Sequence, residues 1–114
     1  MIELMIVIRS GPLEKYGVVE GLRLSAAMLG MDRPPLMVFL DAGVECLRPQ
    51  ASTDPDTLDY LRASADLGEI RVLSESLEER GIRAEDLDPS FAAAHVDIEG
   101  LAGIMAECGS VVAF

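Results

Sequence analysis

The stretch RVLSESLEERGI, Arg71 to Ile82, decides how the rest of the chain is read. Arg71, Val72 and Leu73 complete a short apolar run beginning at Glu69. Ser76 with Glu79 then has the spacing of a capping box, in which each side chain bonds the other residue's backbone N–H at a helix start. Gly81 closes the helix after a short course. A strand that runs directly into a capped helix is the unit from which parallel sheets are wound. The junction contains no Cys, His, Asp or Lys, so it has the form of a strand-end site without an obvious reagent.

The same alternation extends toward both ends. On the N-terminal side, Ile2 to Ile8 is a nearly continuous apolar run of strand length. Gly11 and Pro12 break it before Val18, Leu22, Ala26 and Leu29 line up at helical spacing, with Gly30 as the expected C-cap. Pro34 and Pro35 force an extended entry into a second strand, Leu36 to Leu40, which ends at Asp41-Ala42-Gly43. A polar connection, Arg48 to Thr53, leads to a helix capped by Asp54 or Thr53. Pro55 lies in its first turn, Leu58, Leu61 and Ala65 form its stripe, and Gly68 stops it. Strand three is Glu69 to Leu73. On the C-terminal side, a turn through Asp88 and Pro89 precedes a fourth strand, Ala92 to Val96, whose alanines favour irregular or helical structure as well. Asp97 caps a helix bearing Ile98, Leu101, Met105 and Cys108, and Ser110 to Phe114 is a last apolar strand.

This β-α-β-α-β-α-β-α-β order predicts one α/β domain over residues 1–114, a three-layer α/β/α arrangement with a parallel sheet of about five strands. In such sheets ligands lie beyond the carboxyl ends of the strands. Residues 9–12, 41–46, 73–76 and 95–97 therefore share the functional edge, and Cys108 lies at the opposite one.

Composition excludes several functions. A net charge of −11, with nine basic residues that form no run, opposes binding to a phosphate backbone. No apolar run reaches the about 18 residues of a membrane span, and the start MIELMIVIRS lacks the features of a signal peptide. The expectation is a cytoplasmic protein with no nucleic-acid or membrane partner. Cys46 and Cys108 are too few for a disulfide framework and lack metal-ligand spacing, so they are expected as free thiols, with no metal and no cofactor. The loop SGPLEK lacks the glycine spacing or lysine of a nucleotide site.

Taken in order, IVIRSGP, EGLRLSAAMLG, VFLDAGVECL, DYLRASADLG, VLSESLEERGI and GLAGIMAECGSVVAF resemble the DsrE/DsrF-like sulfur-relay proteins over essentially the whole chain. The run from FLDAGV to ERGI is most similar to the DsrF and TusC branch. Sulfur-carrying members hold a persulfide on a cysteine at the end of the third strand, before the helix that ends in RGI or RGV. Here that position is Leu73, which accepts no sulfur, so Leu73, Ser74 and Ser76 outline a degenerate family site. The resemblance implies a non-catalytic interaction or scaffold subunit in intracellular sulfur transfer. Its partners would be copies of itself, related DsrE/F-like subunits or sulfur-carrier proteins, in dimers that associate further.

Other residues supply the alternative, an active sulfur carrier or sulfurtransferase using Cys46. That thiol follows strand two on the ligand-side edge, with Arg48 as its one basic neighbour in sequence. His95, the single histidine, ends strand four at the same edge, so a Cys-His pair is conceivable, although a lone histidine at a strand end is more often structural or interfacial. Cys108 falls on an apolar helical stripe, where a free cysteine packs as a small hydrophobe. Glu75, Glu78, Glu79, Glu85, Asp86 and Asp88 read as a solvated acidic face that would attract a basic partner.

Overall fold

Three apolar runs form the centre of the sheet because each buries both faces: β1 (Leu4–Ile8), β2 (Leu36–Phe39) and β3 (Glu69–Leu73). In the computed structural model, which describes residues 2–52 and 54–114, β4 (Ala94–Val96) and β5 (Ser110–Ala113) complete a sheet of order β4-β3-β2-β1-β5. All four pairings are parallel, with Met5 opposite Leu36, Leu36 opposite Glu69, Val72 opposite His95 and Leu4 opposite Ser110. The expected three-layer α/β/α fold with five parallel strands is present.

Alternation along the strands divides the core in two. Ile6, Ile8, Met37, Phe39, Ile70 and Val72 face one layer, formed by α1 (Lys15–Gly30), α2 (Pro55–Leu67) and the turns around Leu87 and Phe91. Met5, Val7, Leu36, Val38 and Leu73 face the other, where Leu101 of α4 (Ile98–Glu107) covers them. The first two helices also join each other, through a buried hydroxyl pair, Ser25 with Ser64, at 2.8 Å.

Several local expectations are corrected by tertiary contacts. Gly30 is the last residue of α1 rather than its cap. The left-handed position that ends the helix is Asp32 (φ 57°), where Asp32 N–H bonds Leu29 O and Arg33 N–H bonds Met28 O in a Schellman arrangement. Gly81 (φ 66°) has that role after α3 (Ser74–Glu79). Ser76 lies inside α3 and not at its start, so the capping box is not formed; its hydroxyl instead accepts from the N–H of Asp41, just past β2, as described below. The chain after β2 is not loop from the outset, because Asp41–Leu47 winds as a 3-10 helix. Gly43 fits there because a Cβ would fall 2.0 Å from Ile8 O, so this helix lies directly against the end of β1.

Asp54 occupies the N-cap position of α2, while Thr53, the other candidate cap, lies outside the described residues. The fourth strand begins only at Ala94, since Ala92 takes a left-handed conformation (φ 48°) that ends the preceding turn. Asp97 caps α4 as expected, its carboxylate accepting from Gly100 N–H at 2.7 Å. The apolar stripe of α4 is only partly used. Leu101 is buried, but Ile98 is 55% exposed and Met105 39%, and Cys108 is half-buried at the helix end rather than a core residue.

Candidate functional site at the carboxyl edge of the sheet

Three strand ends are tied together at this edge. The first residue after β1, Arg9, reaches Asp41 after β2, with Nε 3.2 Å from Oδ2. Asp41 adopts a left-handed backbone (φ 50°), a conformation that Asp tolerates better than most residues. That turn aims its N–H at the Ser76 hydroxyl, 2.9 Å away on α3. The tie fixes where β1, β2 and β3 end relative to one another. Glu75 extends it, accepting from Ile98 N–H at 2.9 Å and so joining α3 to the start of α4. Glu75 therefore caps a helix instead of standing free on an acidic face.

Leu73 ends β3 and occupies the N-cap position of α3. Its side chain, 6% exposed, packs in the cluster beneath α4 with Val96 and Leu101. A leucine buried to this degree contributes roughly 1.5 to 3 kcal/mol. Ser74 is partly buried beside it.

Cys46 faces the other layer. The 3-10 helix turns it inward, where its Sγ donates weakly to Ser10 O at 3.7 Å and its side chain lines a cavity of about 180 Å³ between α1 and α2. Burial pushes its pKa up from 9.0 to about 12, and neighbouring Glu45 adds to the effect. A thiol so placed stays protonated at neutral pH, the reverse of what a nucleophile or sulfur acceptor needs. Cys108 is also shifted upward, by burial and by Glu107.

His95 is not brought to Cys46. It stands exposed on the edge strand β4, in a shallow depression with Leu87 and Pro89, while the strand that leads to Cys46 is β2. With β3 between them, the two strands are roughly 10 Å apart. Among the described residues no group of three His, Cys, Asp or Glu side chains is arranged to hold a metal ion, and no helix is long and apolar enough to cross a membrane.

Sequence reasoning placed residues 41–46 at this edge but missed the bond from Asp41 to Ser76, which spans 35 positions and has no local signature. It also missed Thr57, whose hydroxyl donates to Asp54 at 2.7 Å at the cavity's polar end. The Asp-x-x-Thr spacing was the available signal.

An all-parallel sheet in the order β4-β3-β2-β1-β5, covered by helices on both faces and carrying its polar ties at the carboxyl edge, defines a three-layer α/β/α class of domain. Among solved structures, the chain is similar to the ychN protein of E. coli, with 16% identity, full coverage of both chains and a TM-score of 0.79. It is also similar to MTH1491 of Methanobacterium thermoautotrophicum, a protein of unknown function, at 15% identity over 93% of this chain and 90% of that one, with a TM-score of 0.65. The chain thus shares its three-layer α/β/α fold with these two proteins. No family model and no curated protein matches the sequence.

Proposed function

We propose that the chain is a non-catalytic interaction subunit of intracellular sulfur transfer. The observation that carries this reading is Leu73, a buried leucine at the end of β3, where the resemblance places a sulfur-carrying cysteine. The upward shift of Cys46 supports it, because neither thiol of the chain is activated. An outward apolar surface supplies a place for a partner, a related subunit or a second copy: Ile98 and Met105 on α4, with Val111, 39% exposed, on edge strand β5. The alternative, Cys46 as carrier, is favoured by the cavity its side chain lines.

Exposure to a polysulfide donor followed by intact-mass analysis separates the two readings. The scaffold reading expects no gain of a sulfur atom, and capture at native expression should recover a related subunit bearing a strand-end cysteine. A persulfide that forms on the chain and disappears in Cys46→Ser would overturn it. Light scattering should give a dimer or larger assembly, and a monomer at working concentration would count against it.

A further inference from the structure

We propose that the outer edge of β5 is where a second copy of this chain docks, its own β5 running antiparallel to the first so that the two sheets join into one. The inference deepens the interaction reading by naming the occupant. It asks nothing of sulfur transfer, so a persulfide on Cys46 would overturn that reading and leave this one standing. β5 is the outermost strand on its side of the sheet. Its Ser110 and Phe114 N–H groups bond Glu3 O and Val7 O of β1, and Phe114 O accepts from Arg9 N–H. Backbone direction alternates along a strand, so Val111 and Ala113 turn their N–H and C=O groups to the open side. Ser110, Val111 and Ala113 are all exposed.

The two edges of the sheet differ in how they are protected. Unpaired edges invite foreign strands, and proteins blunt them with short strands, charges or proline. The β4 edge has all of these: three residues, preceded by Pro89 and the left-handed Ala92, with His95 on the strand, Glu85 and Asp88 beside it and Asp97 directly after it. Residues 108–114 contain no charge and no proline. Copies of a chain with net charge −11 repel over most of their surfaces, and an uncharged strip is where they can meet. The side chains then specify a second copy rather than any extended segment. With the two-fold axis at Val112, Val111 of each copy stands opposite Ala113 of the other, large against small, on the face that α4 covers, and each such pair exchanges both its N–H···O bonds. Val112 meets its own counterpart on the α1 face, a β-branched cross-strand pair. Met105, exposed in the last turn of α4 just before β5, extends the apolar strip.

Sedimentation equilibrium of the full chain should give a self-associating dimer. Ala113→Pro removes an N–H that β1 does not use, at the kind of edge position where proline is tolerated, and should weaken the dimer about tenfold or more while the thermal unfolding transition is kept. Val111→Lys, which places a charge on the strip, should act in the same direction. In a Cys46→Ser, Cys108→Ser background, Val112→Cys should link two chains on treatment with diamide, because the Cα atoms of such a non-hydrogen-bonded pair lie about 4.5 Å apart. Ser110→Cys, opposite Phe114 of the other copy, should not. The cross-link decides alone where an edge variant unfolds. The proposal is overturned if the native chain is monomeric, even if β5 then accepts a strand from a different protein, if self-association survives in both folded edge variants, or if Ser110→Cys links as readily as Val112→Cys.

Discussion

The ends of β2 and β3 are neighbours at one edge of one sheet, yet they are built for opposite purposes. At β3 the chain has a strand-to-helix junction, the form of a reactive site, and fills it with Leu73, sealed under α4. At β2 it has a thiol, Cys46, in a 3-10 turn that holds it inward beside a cavity, where its charged form is suppressed. One place has the geometry without the reagent, and the other has the reagent without the activation. The lesson is that a cysteine's position in the sequence order does not locate a carrier site. What matters is whether its surroundings stabilise a thiolate, and here burial decides against it.

Five measurements break or sharpen this contrast. The largest effect is expected from pH and alkylation. At neutral pH a thiol with a pKa near 12 has roughly a thousandfold less thiolate than one at 9, so Cys46 should react with iodoacetamide on that order more slowly than an unhindered thiol. The folded pKa is raised, so the folded state holds its proton more tightly than the unfolded state. The resulting stability is present below about pH 9 and is lost as pH rises from 9 through 12. Relative to Cys46→Ala, the native chain should lose stability across that window in urea unfolding, and identical pH profiles would show that the thiol is not buried as described.

Truncation of the leucine comes next. Leu73→Ala should cost about 2 to 5 kcal/mol in urea unfolding, whereas Cys46→Ala, beside an existing cavity, should cost about 1 kcal/mol or less. Equal costs would erase the distinction between a filled junction and a loosely packed wall. A thiol placed at the junction addresses the same point chemically: in a Cys46→Ser background, Leu73→Cys is expected to label no faster than Cys108, because the position is sealed. Faster labelling would reveal an open cradle lacking only its cysteine. The smallest effect concerns the hydroxyl pair that joins α1 to α2. Ser25→Ala or Ser64→Ala alone should cost about 1 to 3 kcal/mol by orphaning a buried hydroxyl, and the double variant should cost less than the sum, as a double-mutant cycle would register.

Most of the fold was legible because its signals are local. The third strand, Glu69 to Leu73, has the bounds its apolar run gives, and α2 runs from Pro55 to just before Gly68, as the start and stop residues dictate. What escaped depends on distant partners. Ser76 reads as a cap until Asp41 claims its hydroxyl, and DAGVECL reads as a strand end running into loop until β1 supplies the surface that Gly43 needs. The candidate site was harder still. The edge on which Cys46 sits follows from element order, but its inward turn, its burial and the cavity beside it arise from α1, α2, Ala51 and Ser52 meeting in space. Asp32 shows the same limit on a small scale, since a left-handed aspartate two residues past a glycine leaves no trace in a propensity pattern.

The pairing of β1 with β5 sets the timing of folding. Leu4 opposes Ser110, and the N–H groups of Arg9 and Ser10 close on Phe114 O, so an inner strand of the sheet borrows one whole side from a strand that follows all the others in sequence. While the chain grows from its N-terminus, β1 can gain β2 and the cover of α1, but its other edge stays unpaired throughout translation of α2, β3 and α4. A parallel sheet closed by so long a separation folds slowly, and its waiting edge is an apolar strand open to foreign pairing. The nascent chain therefore keeps an unpaired apolar strand edge until β5 has been made.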